Sequence, residues 1–292
     1  MKKIFMLGMV LTVSLAMLLT SCKKEEINDN GNDNGNTENP GGGGSVTPNQ
    51  EYPSTAVVLP QAVADIDGNT YDAVQIGDQV WMAQNLRTTR YADGTTISIG
   101  TNTSTTTAYR YAPGPNQSNE ENMDNVAHYG YLYNWPAVMH GESTSEANPS
   151  GVQGICPNGW HVPSDAEWTQ MIDYLGSQSE YVCGENTNYI AKALAATTGW
   201  NFLSGECYPG DQSMHANNAI GFSALPAGTY SLNSSGYGYN SFGYCVAFWC
   251  ADGNADVPEA ASSRNLYGDY AYVYSGRYNA KFLGFSVRCV KD

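Results

Sequence analysis

Gly154-Ile155-Cys156-Pro157-Asn158-Gly159-Trp160-His161-Val162-Pro163-Ser164-Asp165-Ala166-Glu167-Trp168 decides how the folded part of this chain is built. Ser164 followed three residues later by Glu167 is a capping box, which satisfies orphan backbone donors at a helix start. The helix it opens is expected over Asp165–Leu175, where Trp168, Met171, Ile172 and Leu175 share one face and Gly176 ends the run. A weaker helical pattern covers Tyr189–Ala196, with Ile190, Ala191, Leu194 and Ala195 on one side before Gly199. Upstream, apolar stretches flank an Asp67-Gly68 turn, and Gly77-Asp78 separates Ile76 from Val80-Trp81-Met82, which are hairpin signals. After Gly199 the pattern is strands and turns. Two central helices between hairpins indicate an α+β domain whose antiparallel strands are joined by long irregular loops.

The N-terminus reads as an export signal. Lys2 and Lys3 precede an apolar run, Ile4–Leu19, and Leu19-Thr20-Ser21-Cys22 closes it as a lipobox. The run is short for a bilayer-spanning helix, which needs about 20 apolar residues. Residues 1–21 are therefore expected to be removed and Cys22 to carry the lipid. Two or more acyl chains on it would anchor the protein to a membrane without spanning it. Lys23-Lys24-Glu25-Glu26 resembles the charged signals that send Bacteroidota lipoproteins to the outer leaflet of the outer membrane; a solvated charge cluster is the alternative. Residues 22–50 are Asn, Asp and Gly repeats with only Ile27 and Val46 as large aliphatics, so they bury no core. A coil of that length spans about 30 Å and would act as a tether.

The formal net charge is −15, and the two lysines lost with the signal take it to −17. Such a balance argues against binding to phosphate backbones, which needs clustered Lys and Arg, so no nucleic-acid partner is expected. Residues 51–292 contain no second low-complexity break and are read as one domain.

Val74-Gln75-Ile76-Gly77-Asp78-Gln79-Val80-Trp81-Met82-Ala83-Gln84-Asn85-Leu86-Arg87-Thr88 and Tyr91-Ala92-Asp93-Gly94-Thr95 resemble the opening of the Fibrobacter succinogenes major paralogous domain. Further blocks follow in order: Tyr129–Trp135, Gly154–Trp168, Gly221-Phe222-Ser223-Ala224-Leu225-Pro226-Ala227-Gly228, and Gly284-Phe285-Ser286-Val287-Arg288-Cys289-Val290. The resemblance covers residues 63–292. It implies, more distantly, the C-type lectin-like fold shared with formylglycine-generating enzymes, and a surface lipoprotein with no assigned reaction. Read from the residues alone, Trp81, Trp135, Trp160 and Trp168 belong to the core. His161, without ligand-spaced His or carboxylate neighbours, reads as a hydrogen-bonded structural residue. Asn85 and Arg87 read as groups that satisfy loop backbone.

Besides Cys22, six cysteines remain: Cys156, Cys183, Cys207, Cys245, Cys250 and Cys289. In an exported protein an even number implies disulfides, and the spacing leaves 15 connectivities open. The resemblance implies Cys156–Cys289; Cys183–Cys207 and Cys245–Cys250 would follow as loop staples. Cys245 and Cys250 also share the four-residue gap of the copper-binding cysteines in formylglycine-generating enzymes, although the Tyr- and Arg-rich run expected after them is missing. Asp252-Gly253-Asn254-Ala255-Asp256 begins like a calcium loop, but Val257 replaces the needed Gly and Ser263 the bidentate Glu. No cofactor is expected, with calcium and copper as the alternatives.

There are 21 tyrosines, and Tyr267, Tyr270, Tyr272, Tyr274 and Tyr278 crowd one segment. Tyr270, Tyr272 and Tyr274 would share one face of a strand. Exposed, such a ladder would bind a glycan or a protein; buried, it would pair across a sheet. Hydrolase and phosphate-loop motifs are missing from the chain. The sequence thus points to a surface-tethered, non-catalytic binding or adhesion lipoprotein. An extracellular enzyme, such as a copper-dependent oxidase, is the alternative.

Overall fold

The computed structural model describes residues 52–114, 122–211, 217–233 and 236–292. Cys22, the expected signal 1–21 and the linker 22–50 lie outside the described residues. In chain order the elements are β1 (Val57–Ala64), β2 (Thr70–Ile76), β3 (Gln79–Met82), β4 (Ser98–Ile99), β5 (Tyr109–Tyr111), α1 (Met123–Tyr129), β6 (Leu132–Tyr133) and α2 (Trp135–Met139). They continue with β7 (Trp160–His161), α3 (Asp165–Gly176), α4 (Ala191–Leu194), β8 (Thr229–Asn233), β9 (Gly236–Asn240), β10 (Cys245–Gly253), β11 (Ala260–Tyr267), β12 (Tyr274–Ala280) and β13 (Val290–Lys291). The α+β reading holds: among the described residues there are mostly antiparallel strands, four short helices and long loops.

One sheet runs β1-β2-β3-β13-β7, and a second runs β10-β11-β12. Strand alternation divides the interior in two. Ala73 pairs with Met82 on one face of the first sheet and Val74 with Trp81 on the other; each pair enters a separate apolar cluster. β10 does the same in the second sheet, sending Ala247, Trp249 and Ala251 one way and Val246, Phe248 and Cys250 the other. That is why Cys245–Ala251 is apolar without a break: both faces are covered. All four tryptophans expected in the core are buried, Trp81 and Trp168 completely.

The β1–β2 turn is the predicted Asp-Gly hairpin, tied by Asp65, whose carboxylate accepts from the backbone of Asp67 and Asn69 and from the Tyr71 hydroxyl. α3 starts at its capping box as expected: Ser164 Oγ accepts from Glu167 N–H while Glu167 Oε2 accepts from Ser164 N–H at 2.9 Å. Its end differs. Gly176 is the last helical residue with an ordinary backbone, and its value is close approach, because a Cβ there would meet the Thr187 carbonyl at 2.7 Å. The second helix is trimmed to α4, since Ala195 bridges to Ala224 and draws the chain into extended structure. α1 and α2 were not anticipated. Each is short and capped by an asparagine, Asn122 and Asn134, and Pro136 in the first turn of α2 was the available signal.

Cys156 and Cys289 are bridged, with Cα atoms 6.0 Å apart. The link fastens β13 to the loop before β7 and closes a separation of 133 residues. In the chain-entropy account such a loop is worth about 5 kcal/mol. Cys183 and Cys207 form a second bridge. The Cys245–Cys250 staple does not form: Cys250 is a buried free thiol. Five positions along one strand put the two Cα atoms about 16 Å apart with side chains on opposite faces, beyond the reach of a disulfide or of one shared copper ion. Among the described residues no helix is long and apolar enough to cross a membrane.

Candidate functional site

The tyrosine-rich segment is a hairpin tip. β11 ends at Tyr267, the chain turns through Gly268 and Asp269, and β12 begins at Tyr274. Tyr270 and Tyr272 therefore lie in the connecting turn, and the expected strand ladder of Tyr270, Tyr272 and Tyr274 is corrected. Gly268-Asp269 was the breaker that the alternation of tyrosines concealed.

The turn gathers the rings into a chain. Tyr267 stands 5.5 Å from Tyr270 and 6.2 Å from Tyr274, centroid to centroid, and Tyr270 meets Tyr272 edge to face at 5.6 Å. Tyr270 is 44% and Tyr272 38% exposed, whereas Tyr267 and Tyr274 are half-buried beneath them. Burial pushes the Tyr272 phenol above its ordinary range, helped by Tyr270, Tyr274 and Tyr189. The Tyr272 phenol therefore stays protonated near neutral pH, as a hydrogen-bond donor on an apolar platform.

The turn is held from behind by the chain between α3 and β8, and by Tyr244 just before β10. Ala191 N–H donates to the Ala271 carbonyl, Gly210 N–H to the Gly268 carbonyl, both at 3.0 Å, and Gly268 N–H to the Tyr244 carbonyl at 2.7 Å. The chain between α3 and β8 carries the Cys183–Cys207 bridge and Phe202, which is 70% exposed. Sequence reasoning missed this support, because backbone-to-backbone bonds leave no residue signature.

At the other end of β12 the ladder has a bulge. Ala261 pairs with Asn279 but Ser263 with Gly276, so Arg277 and Tyr278 together oppose Ser262. Both consequently face outwards, where alternation would have sent one inwards. They line an open cavity of about 570 Å³ with Glu146, Asp165, Asp252 and Asn254. Asp252, read in sequence as the start of a calcium-like loop, is committed elsewhere. Its Oδ2 accepts from Asp165 N–H at 2.7 Å, while Asn254 accepts from the backbone of Asp256 and Val257. Ser263 is buried inside β11. Among the described residues no group of three or more His, Cys, Asp or Glu is arranged to hold a metal ion.

Burial raises the Asp252 carboxyl to about 6, and the negative charges of Asp165 and Glu146 push the same way against the bond from Asp165 N–H. The folded state therefore holds this proton more tightly than the unfolded chain. Its contribution to stability is present below the unfolded value near pH 4 and is lost as pH rises to about 6. In Asp252→Asn, which retains the acceptor, that decline should vanish. The variant should be about 1–3 kcal/mol more stable than wild type at pH 7 and equal at pH 3.5. Urea denaturation at the two pH values measures this.

A mixed α+β domain with two bridges among the described residues and an aromatic hairpin tip is what the geometry defines. Residues 74–291 match the family model of the Fibrobacter succinogenes major domain, and the chain belongs to that family. Comparison with curated proteins and with solved structures returns no match.

Proposed function

We propose that this chain is a lipid-anchored surface protein of the outer membrane, tethered by residues 22–50, whose domain recognises a glycan through the Tyr270–Tyr272 turn. The observation that carries the reading is the pair of half-exposed rings, Tyr270 tilted against Tyr267 and edge to face with Tyr272. Tyrosine supplies large, rigid, amphipathic contact area at low conformational cost, and its face suits the C–H surface of a sugar ring while the phenol bonds to hydroxyls. Acidic surroundings disfavour sulfated or phosphorylated ligands. The lipobox ending at Cys22 supports export and anchoring. A C-type lectin-like arrangement is our reading of the fold: a late strand set beside early ones, fastened by Cys156–Cys289, with long loops carrying recognition.

The test is a screen of the full chain on neutral polysaccharide and glycoprotein arrays, with and without calcium. Tyr270→Ala and Tyr272→Ala should each weaken binding about 10- to 100-fold, the usual range for truncating an aromatic anchor, while leaving the melting temperature unchanged. A folded wild type that binds no glycan, or Ala variants that bind as well as it does, would sink the proposal.

A further inference from the structure

The two strands of chain that hold the tyrosine turn are joined to each other by a covalent link. Cys183 N–H donates to the Tyr189 carbonyl at 2.8 Å, fixing the approach to α4, and α4 opens with the Ala191 N–H that holds Ala271. On the other side, Cys207 is followed three residues later by the Gly210 N–H that holds Gly268. Lys192 Nζ, donating to the Glu206 carbonyl at 2.8 Å, ties the two sides again just beside the bridge. Approach at the turn is tight. A Cβ on Gly268 would come within 3.0 Å of Leu203, and one on Gly210 within 2.7 Å of the Asn201 carbonyl. Between α3 and β8 the only regular element among the described residues is the four-residue α4, and the bridge together with the Lys192–Glu206 bond ties the two jaws directly to each other. Loops of this kind sample open states unless cross-linked.

We propose that the Cys183–Cys207 bridge is a positioning element for recognition: it locks residues 183–191 and 207–210 into a clamp that holds the Tyr270–Tyr272 turn in its binding shape. The role in recognition rests on the glycan-binding reading above; the clamp itself is a statement about structure. Both sulfurs sit on half-buried residues, whereas Cys156 and Cys289 are fully buried. A dithiol reductant should therefore open the clamp first, its two thiols becoming a disulfide as the bridge takes up two electrons and two protons. Recognition would then depend on redox state while the domain stays folded.

The experiment compares the full chain with its C183S/C207S variant by amide hydrogen exchange and by glycan binding. Exchange at Ala191 and Gly210 should accelerate about tenfold or more, with Met82, whose N–H bonds the Cys289 carbonyl, unchanged. Chemical acetylation of Tyr270 and Tyr272 should speed up in parallel, and glycan binding should fall about tenfold or more. Wild-type protection at Ala191 and Gly210 in the folded variant would overturn the clamp. Intact binding despite lost protection would overturn its role in recognition. A wild type that binds no glycan sinks the recognition reading, and the exchange data still decide the clamp. Should the variant fail to fold, the same amides are followed in the wild-type chain during dithiothreitol titration. Loss at Ala191 and Gly210 before Met82 supports the proposal, and simultaneous loss at all three overturns it.

Discussion

Arg288→Met is expected to cost about 3–5 kcal/mol of unfolding free energy, a large part of what a domain of this size has. Arg288 is fully buried. Its Nε donates to Asn85 Oδ1 at 2.7 Å, Nη1 to the carbonyls of Met82 and Phe222 at 2.8 and 2.6 Å, and Nη2 to the Ser223 carbonyl at 3.0 Å. The guanidinium lies 4.5 Å over the Phe222 ring and 5.7 Å from that of Phe248. Burial pulls its pKa down, so the charge depends on those acceptors and ring faces. Three backbone segments distant in sequence, around Met82, Phe222 and Arg288, are thus joined at one planar group. Methionine fills the volume but leaves three carbonyls and one amide without donors in a dry interior. Lysine keeps the charge yet cannot reproduce the fork, so Arg288→Lys should also destabilise, by roughly half as much. Thermal unfolding measures both, with Arg288→Met expected to melt about 10 °C or more below wild type. A melting temperature within about 2 °C of wild type would refute the account.

Glu167→Ala should cost a similar amount, about 3–5 kcal/mol, because one carboxylate serves four donors. Oε2 accepts from the backbone of Ser164 and Ser150 and from Ser164 Oγ, and Oε1 lies 2.7 Å from His161 Nε2. His161 is buried and bonds Asp292 through Nδ1, also at 2.7 Å. Burial alone would lower its pKa; the bonds and charges of Glu167 and Asp292 outweigh that and raise it. The sign follows. Stability from this group is complete below its unfolded value near pH 6.5 and declines as pH climbs through the higher folded value. Glu167→Gln keeps the backbone acceptor and removes the charge, so the decline above pH 6.5 should flatten while α3 remains capped. Urea midpoints from pH 6 to 9 test it, and an unchanged slope in Glu167→Gln would assign the pH dependence elsewhere.

Much of this was legible because it is local. The capping box of Ser164 and Glu167 lies within one turn, and the Asp-Gly hairpin and the unbroken apolar run of β10 each declare themselves over a few residues. The structural role of His161 was readable, but its partners were not: Glu167 was already spoken for by the cap, and Asp292 lies 131 residues away. Arg288 was visible only as part of a family block, since its acceptors are mostly backbone carbonyls that any sequence could supply. The site was half-read. The tyrosines were found, but counting alternation across Gly268-Asp269 placed them on a strand, and the same parity, applied to Cys245 and Cys250, would have argued against their staple. The bulge at Arg277-Tyr278 had no local sign, because it is a mismatch between two strands.

The position of β13 has a consequence for how this domain comes into being. Val290 pairs with Trp81 on one side and His161 on the other, so the strand that completes the middle of the first sheet arrives about 200 residues after β3. During synthesis, β3 and β7 must wait as unpaired edges. The first sheet cannot lock until the C-terminal segment has emerged, and its closing contacts are of the slow, long-range kind. A sheet assembled this way stays open for most of the chain's synthesis and closes only with its last strand, beside which the Cys156–Cys289 bridge fastens the result.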